Sequence, residues 1–355
     1  MKPRVIAFYL PQFYPTPEND EWWEPGFTEW TNVTRTKPLF KGHYQPRLPR
    51  DLGFYDLRVP ETREKQAELA RYAGIEGFCY WHYWFAGRRM LDIPFREVVE
   101  SGKPDFPFCL CWANHSWKAK TWTPNAPDKM LIEQTYPGEG DYINHFNAML
   151  PAFKDKRYMK VDGKLIFGIF NPHEFKDFTT FKNVWNQMAQ KNGLAGFYFF
   201  AFVQYNCNIE KFNTDVYDSI VRDTIIDGYG GVMSSKMRAL IRGIYYRFHR
   251  AYAIDYSEYV DVSLKVFRDN PDYIPCIAPG FDHSPRSGWK WIILKNSTPD
   301  KWKYLCEKVS EQVLSGKNIV FIKAWNEWGE GNYLEPDQKY GDGFVQSCRN
   351  VFVDL

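Results

Sequence analysis

The sequence predicts a single (β/α)8 barrel with long loops on one face, in one domain over residues 1–355. Eight short apolar runs alternate with segments of helical periodicity, the order expected of parallel strands joined by helices. The runs are nearly continuous, as expected of strands covered by helices on one face and packed inside a barrel on the other. A chain of 355 residues also suits one large barrel, which typically has about 250 residues or more.

The eight predicted strands share a high content of β-branched and aromatic residues. In chain order they are Val5–Leu10, Gly77–Trp84, Phe106–Trp112, Leu165–Phe170, Gly196–Val203, Val216–Ile220, Ile274–Ala278 and Ile319–Ala324.

Helices between the runs are indicated by apolar residues spaced three and four apart and by signals at their ends. The segment 181–192 has this spacing, and Gly193 supplies a stop. In 299–315, Thr298 can cap the first turn, and Gly316 ends the helix. These signals predict amphipathic helices that cover the barrel.

Two further helices are predicted at 61–73 and 141–150, the second ending before Pro151. A doubly wound open sheet is the alternative architecture. It is disfavoured because no glycine-rich phosphate loop follows the first strand.

Two long insertions interrupt the strand and helix alternation. Residues 11–60 follow the first strand and hold Trp22, Trp23 and Trp30, and residues 221–270 precede the seventh strand. Loops that follow barrel strands lie on one face, so we expect these insertions to shape a substrate site there.

Composition excludes some functions and favours others. The net charge of +2 gives no indication of nucleic-acid binding. Aromatic residues make up 18% of the chain, and many cluster with acids, amides and histidines. Such side chains suit carbohydrate, whose rings offer apolar faces and hydroxyl rims, although an aromatic-rich core is the alternative explanation.

The seven cysteines lack zinc-site spacing and are read as free thiols in a reducing compartment. No signal peptide or apolar run of 18 residues is present, so we expect a cytoplasmic protein if Met1 is the native start. The histidines show no metal-ligand spacing, and no phosphate loop or Gly-x-Ser-x-Gly motif occurs. We therefore expect neither a metal nor a cofactor.

Polar and aromatic side chains follow most of the predicted strands, where a barrel places its active site. The last strand runs into Trp-Asn-Glu-Trp-Gly-Glu-Gly, which holds the candidate catalytic pair Glu327 and Glu330. The candidate substrate-binding residues are Tyr9, Gln12, Trp22, Glu29, Tyr80, His82, Tyr83, Trp84, Trp112, Asn114, His115, Asp282, Arg286, Trp325, Asn326 and Trp328.

The glutamate pair suits glycoside chemistry, which needs one group to protonate the leaving oxygen and another to activate or attack. Residues three apart on a straight strand face opposite ways, but Gly329 and Gly331 allow the chain to turn. Both carboxylates would then face one pocket and push one pKa upward. The alternative is that only one glutamate is catalytic and the other caps a loop or binds an arginine.

Five strings of the chain resemble the WbsX-type family, a group similar to glycoside hydrolase family 99. They are FYLPQFYPTPENDEWWEPGFTEWTNV (8–33), GIEGFCYWHYWF (74–85), FPFCLCWAN (106–114), PGFDHSPR (279–286) and AWNEWGEGNYLEPD (324–337). Members are named glycosyltransferases of lipopolysaccharide or O-antigen gene clusters, and their barrel is similar to that of retaining endo-α-mannosidases.

The resemblance implies a division of roles within the pair. Glu327 would be the general base on the sugar 2-hydroxyl, which attacks C1 to give a 1,2-anhydro sugar. Glu330 would be the general acid at the leaving oxygen and then the base for water. From spacing alone, a covalent nucleophile or an inverting pair is equally allowed.

Two positions depart from the family pattern. His115 stands where the family usually has a glutamate, and His283 stands where it usually has an asparagine. Both follow predicted strands, so we expect them to affect which sugar is recognised more than the chemistry.

The segment 236–250 combines an apolar helical stripe with five basic residues and no acid. One reading is a helix that lies on an anionic membrane surface. The other is an ordinary barrel helix with a basic solvent face.

Three functions follow from these observations. The first is a retaining, endo-acting hydrolase of an α-linked glycan such as a bacterial surface polysaccharide or a mannan-like glycan. The second is a glycosyltransferase of lipopolysaccharide or O-antigen assembly, although the sequence lacks the two-domain architecture of most enzymes that use nucleotide sugars. The third is a catalytically silent, glycan-binding barrel. Each takes an oligo- or polysaccharide as its partner.

Overall fold

A computed structural model of the protein describes residues 2–119, 129–204, 209–230, 235–313 and 317–354. Within them, eight parallel strands close into a barrel, which confirms the predicted fold class. The barrel strands are β1 (Arg4–Tyr9), β2 (Gly77–Phe85), β3 (Phe108–Trp112), β4 (Lys164–Ile169), β5 (Phe197–Val203), β6 (Ser219–Asp223), β7 (Ile274–Ile277) and β8 (Ile319–Ile322).

Closure of the barrel comes from β1, which pairs in parallel with both β8 and β2. Arg4 lies opposite Ile319 on one side, and Tyr9 lies opposite Tyr80 on the other. Every other barrel strand pairs in parallel with its neighbours in chain order. The carboxyl ends of all eight strands therefore meet at one rim.

Helices cover the outside of the barrel and line its rim. They are α1 (Pro17–Trp22), α2 (Glu29–Arg35), α3 (Pro60–Tyr72), α4 (Ile93–Ser101), α5 (Glu139–Phe153), α6 (Phe178–Lys191), α7 (Ile225–Gly230), α8 (Ser235–Arg247), α9 (Tyr256–Asp269), α10 (Ser284–Ser287), α11 (Pro299–Val313) and α12 (Gly343–Phe352).

Short strands and 3₁₀ turns complete the loops. The short strands are Arg88–Met90, Trp117–Lys118, Met130–Ile132, Lys160–Val161, Ala253–Asp255, Ile293–Lys295, Asn326–Glu327 and Asn332–Tyr333. The 3₁₀ turns are Thr214–Val216, Gly288–Lys290 and Trp328–Glu330.

The sixth strand lies later than predicted. Val216–Ile220 was the predicted run, but the strand is Ser219–Asp223. Val216 instead ends a 3₁₀ turn, which the side chain of Asn213 caps by accepting a hydrogen bond from the amide of Asp215. The end of this strand could not be recognised from hydrophobicity, because Arg222 and Asp223 are polar although both are buried at the barrel rim.

The fifth helix extends past its predicted end. It continues through Pro151 to Phe153, where the prediction ended it at 150. A proline in the last turn sacrifices only one helical hydrogen bond. The amide of Lys154 still donates to the carbonyl of Leu150, and the burial of Phe153 favours the extra turn.

The other predicted helices agree with the structure to within a few residues. The segment 61–73 corresponds to α3, 181–192 to α6 and 299–315 to α11. The hydroxyl of Thr298 lies 3.4 Å from the amide of Lys301, as expected of a cap. The stop predicted at Gly316 lies outside the described residues.

Aromatic rings fill the inside of the barrel. Phe8 of β1 stacks on Trp81 at 4.4 Å between ring centroids and also packs against Phe202 and Phe321 at 5.2 and 5.3 Å. Part of the high aromatic content therefore serves the core, the alternative that the composition left open.

The six described cysteines are buried and free, and Cys207 lies outside the described residues. Among the helices that the structure describes, none is both long and apolar enough to cross a bilayer.

Candidate active site

Arg286 of α10 is the centre of a cluster of carboxylates at the rim of the barrel. Its Nη1 lies 2.7 Å from an oxygen of Glu330 and 3.7 Å from an oxygen of Glu327. Its Nε donates to Glu29 at 3.2 Å. One buried guanidinium therefore holds three carboxylates that come from two separate parts of the chain, Glu29 from α2 and the glutamate pair from the turn after β8.

A lysine and a histidine complete the surroundings of Glu330. Lys323, which directly follows β8, has its ammonium 3.6 Å from Glu330 and 3.7 Å from Asp223. The Nε2 of His283 lies 3.7 Å from the same carboxylate, and its Nδ1 is hydrogen-bonded to Ser287 at 2.6 Å. Glu330 is thus held among three nitrogen-bearing side chains.

A tight turn after β8 brings the two glutamates to one side. Trp328–Glu330 forms a single 3₁₀ turn, and Gly331 then takes a left-handed conformation with φ of 60°. The chain returns antiparallel, so Glu327 pairs with Asn332. This is the turn that the glycine pattern predicts.

Both glycines of the turn are required by close approaches. A Cβ on Gly329 would lie 1.9 Å from a carboxylate oxygen of Glu29. A Cβ on Gly331 would lie 2.9 Å from the Cβ of Asp282, in a backbone conformation that side chains rarely adopt. The carboxylate cluster can assemble only because these positions lack side chains.

The surroundings push the pKa values of the two glutamates in opposite directions. Burial, and then the charge of Glu330, raise the pKa of Glu327 to about 7. Burial also opposes ionisation of Glu330, but the charges of Lys323 and Arg286 outweigh it and lower its pKa to about 2. Below about pH 7 the pair therefore holds one proton, which resides on Glu327.

Asp282 anchors the first long loop behind the cluster. Its Oδ2 accepts hydrogen bonds from His43 at 2.8 Å and Gln45 at 2.7 Å, and Arg47 lies 3.7 Å away. Burial opposes its ionisation, but the His43 hydrogen bond and the Arg47 charge lower its pKa to about 2. The amide of Asp282 also donates to the carbonyl of Glu330 at 2.6 Å, which fixes the turn that carries the two glutamates.

Some predicted substrate-binding residues lie at the cluster. Glu29 and Arg286 belong to it, and the charges of Glu327 and Glu330 act on the Tyr83 phenol. His115 is half-buried near Glu330, and its desolvation lowers its pKa to about 4. His283 also has a pKa of about 4 because of burial. The two departures from the family pattern thus both border Glu330.

Trp22 joins the cluster through a row of aromatic rings. Tyr83 packs against Trp117 at 5.1 Å, and Trp117 packs edge-on against Trp22 at 6.0 Å. The row leads from the carboxylates toward the half-buried α1.

Five other predicted residues are turned toward the covering helices. Tyr9 donates to Gln66 of α3, and Tyr80 packs against Phe95 of α4. His82, Trp84 and Trp112 all pack around His145 of α5. Alternation along the strands explains this, because neighbours of inward-facing Phe8 and Trp81 point outward.

The remaining predicted residues brace the rim. Asn114 exchanges hydrogen bonds with the backbone of Asn171, which ties the loop after β3 to the loop after β4. Asn326 binds both backbone groups of Leu10 in the same way. Trp328 donates to Glu335 at 2.7 Å. Gln12 and Trp325 are buried, with Trp325 packed against Phe78.

The sequence analysis missed several residues of the site. Lys323 was hidden inside the run Ile319–Ala324, where a lysine in an otherwise apolar strand was the available signal. Asp223 was not identified as part of the site because the predicted sixth strand ended at Ile220. His43, Gln45 and Arg47 come from a proline-rich loop without periodicity, so no local pattern indicated them.

Several polar atoms near the cluster are buried and have no hydrogen-bond partner among the described residues. They include Glu29 Oε1, Glu327 Oε2 and His115 Nδ1. Such atoms are costly to leave unpaired, so a ligand rich in hydroxyls matches them. In the part of the chain that the structure describes, no group of three acidic, histidine or cysteine side chains is arranged to hold a metal ion.

Known proteins similar to this chain include relatives that match nearly all of it and solved structures of low sequence identity. WxcX from two strains of Xanthomonas campestris pv. campestris, described as uncharacterized, is 34% identical over 98% of this chain. The chain spans about half of these relatives, 49% of their length.

Two solved structures share the fold. A glycoside hydrolase-like protein superimposes with a TM-score of 0.59 at 15% identity, over 99% of this chain and 94% of the other. The GH99 endo-alpha-mannosidase from Bacteroides thetaiotaomicron gives 0.54 at 13% identity, over 99% and 96%. The family described as "Glycosyltransferase WbsX" matches residues 5–348, and this chain belongs to that family.

Proposed function

We propose that this protein cleaves an α-glycosidic bond of a polysaccharide with retention of configuration, using Glu327 and Glu330 as an acid and base pair. The family and the glycoside-hydrolase-like barrel together indicate a glycan-active enzyme. The observation that supports the finer proposal is the pair itself, the buried Glu327 and the half-buried Glu330 beside one guanidinium, with pKa values pushed apart.

The spacing of the pair favours retention. An oxygen of each glutamate lies within 4 Å of the same nitrogen, at 3.7 and 2.7 Å, so these oxygens are less than about 6.5 Å apart. Retaining glycosidases hold their carboxyl groups roughly 5 to 5.5 Å apart, and inverting ones roughly 6.5 to 9.5 Å apart, because a water must fit between them.

The proposed reaction has two steps and conserves one proton on the pair. First, the basic carboxylate takes the proton of the sugar 2-hydroxyl, whose oxygen attacks C1. The bond from C1 to the leaving oxygen breaks, and the acidic carboxyl protonates that oxygen. Then water attacks C1 of the 1,2-anhydro sugar and gives a proton to the carboxylate that acted as the acid in the first step. The carboxyl that acted as the base returns its proton to the 2-oxygen of the sugar.

The resting electrostatics and the family resemblance assign the roles differently. The raised pKa of Glu327 makes it the proton donor at rest, whereas the resemblance makes Glu330 the donor. An aryl glycoside with a good leaving group distinguishes them, because its first step needs no acid. The Gln variant of the true acid keeps this step, and the Gln variant of the base loses it.

An extended glycan suits the surroundings of the pair. The half-buried Trp22, which packs on the buried ring of Trp117 and through it on Tyr83, offers an aromatic ring beyond the carboxylates. The unpaired oxygens and the imidazole nitrogen offer partners for hydroxyls. These features support an oligo- or polysaccharide as the substrate class.

The test is incubation with bacterial surface polysaccharides and α-mannans, with released oligosaccharides followed by mass spectrometry. We expect products from the wild type and none from Glu327→Gln or Glu330→Gln. Glu311→Gln is the matched control, since that glutamate is 64% exposed on α11. A glycan that binds but is never cleaved, with affinity unaffected by Glu330→Gln, would instead support a binding barrel.

Transfer is the second candidate, and the family description favours it. The same pair can pass the anhydro sugar to an acceptor hydroxyl in place of water. Products that form only after a sugar nucleotide or lipid-linked donor is added would establish transfer and refute hydrolysis.

A further inference from the structure

Helix α8 exposes an apolar stripe that the barrel does not cover. The sequence left open whether this stripe packs inward, and the structure turns much of it to solvent. The exposed fractions of Met237, Leu240, Ile244, Tyr245 and Phe248 are 51%, 62%, 50%, 40% and 68%. Large exposed apolar residues on α8, and Phe248 directly after it, mark an interaction surface rather than an ordinary barrel helix.

The charged residues of the segment that carries the stripe are all basic. Between 236 and 250 the chain has five basic residues, Lys236, Arg238, Arg242, Arg247 and Arg250, and no acidic residue. A helix with aromatic and aliphatic residues on one face and arginines beside them is typical of helices that lie in a membrane interface.

This helix is attached to the rim of the candidate active site. The hydroxyl of Tyr246 donates to the carbonyl of Lys290 at 2.7 Å, and His249 packs on Trp289 at 5.0 Å. Two residues further on, Trp291 is 42% exposed. Its ring lies 6.0 Å from His283, which in turn contacts the catalytic cluster.

We propose that α8 and Trp291 form a docking surface for an anionic lipid bilayer, and that it presents membrane-anchored glycan to the site. The second part of this inference rests on the proposed function, and the first does not. Charge complementarity selects the bilayer, because basic residues are attracted to anionic headgroups while the apolar side chains enter the interface. A second copy of the same face would bring like charges together.

The test is co-sedimentation of the protein with vesicles of phosphatidylglycerol and phosphatidylcholine, compared with vesicles of phosphatidylcholine alone. We expect binding to the anionic vesicles that weakens in 1 M salt, where the Debye length falls to about 3 Å. Leu240→Ser with Phe248→Ser, and separately Arg247→Glu with Arg250→Glu, should each weaken binding about tenfold or more.

Matched controls separate docking from folding and from catalysis. Phe54→Ser removes an aromatic side chain that is 55% exposed elsewhere and should leave vesicle binding unchanged. Glu330→Gln should bind vesicles like the wild type, and Leu240→Ser with Phe248→Ser should retain wild-type rates on a water-soluble glycan.

Two outcomes would overturn the inference. The first is wild-type protein that does not bind anionic vesicles, or binds them equally well after both apolar substitutions. The second is a lipid-free dimer, seen by analytical ultracentrifugation, that Leu240→Ser with Phe248→Ser dissociates. A failure of glycan cleavage alone would refute the proposed function and leave the docking surface standing.

Discussion

Replacing each glutamate of the pair with glutamine should change stability in opposite directions. Glu330 has a pKa lowered from 4.5 to about 2, so its ionisation stabilises the folded protein above pH 4.5. That stabilisation is lost as the pH falls from 4.5 toward 2. Glu327 has a pKa raised from 4.5 to about 7, so its burial increasingly destabilises the protein as the pH rises from 4.5 to 7.

The magnitude follows from the two shifts. One pKa unit corresponds to about 1.4 kcal/mol, so each shift is equivalent to about 3 kcal/mol of stability. Glu330→Gln should therefore lower the free energy of unfolding by about 3 kcal/mol at pH 8, and by much less at pH 3. Glu327→Gln should raise the free energy of unfolding above that of the wild type. This increase should be larger at pH 8 than at pH 5 by about 2 to 3 kcal/mol.

Urea unfolding followed by tryptophan fluorescence at pH 3, 5 and 8 measures these differences. Glu311→Gln, on the exposed face of α11, should match the wild type at each pH. The reasoning is refuted if Glu330→Gln stabilises the protein at pH 8 and Glu327→Gln destabilises it. That result would place the resting proton on Glu330, as the family resemblance implies.

Three further predictions concern activity and packing. Gly329→Ala should destabilise the protein by about 1 to 3 kcal/mol, because the added methyl group would overlap the Glu29 carboxylate. Gly140→Ala is the control, since a methyl group there meets no neighbour within 4 Å and should not destabilise the protein. Thermal unfolding compares the two variants, and equal stability would contradict the close approach at Gly329. Lys323→Met should shift the acid limb of the pH profile of kcat/KM upward by about one pH unit or more, because the lost cation lies 3.6 Å from Glu330. An acid limb at the wild-type pH would show that Lys323 does not set the pKa of Glu330. In the wild type, kcat/KM should fall above pH 7 as the protonated member of the pair ionises, and a rate still rising at pH 9 would exclude that group as the acid.

The barrel could be predicted from the sequence because its signals are local. Apolar runs and capped helices depend on neighbours a few residues apart, as in 181–192 and 299–315. The errors arose where burial overrides polarity, as at Asp223, or where packing keeps a proline inside a helix, as at Pro151.

The site could be predicted only in part. The turn after β8 was foreseeable because glycines and glutamates stand next to each other in the chain. The partners of Asp282 were not, since His43 and Gln45 reach it from a loop more than two hundred residues earlier. The sequence also did not show that Tyr80 and Trp84 point away from the cluster, because a run of aromatic residues does not reveal which of them face inward.

The most direct test of the central claim is the configuration of the first product. Proton NMR during the first minutes of glycan cleavage distinguishes the anomers before they interconvert. Two carboxylates on the Arg286 guanidinium predict that the released sugar first appears with the α configuration of the bond that was cut. Initial release of the β anomer would mean inversion and would contradict the close pair of Glu327 and Glu330 as the catalytic machinery.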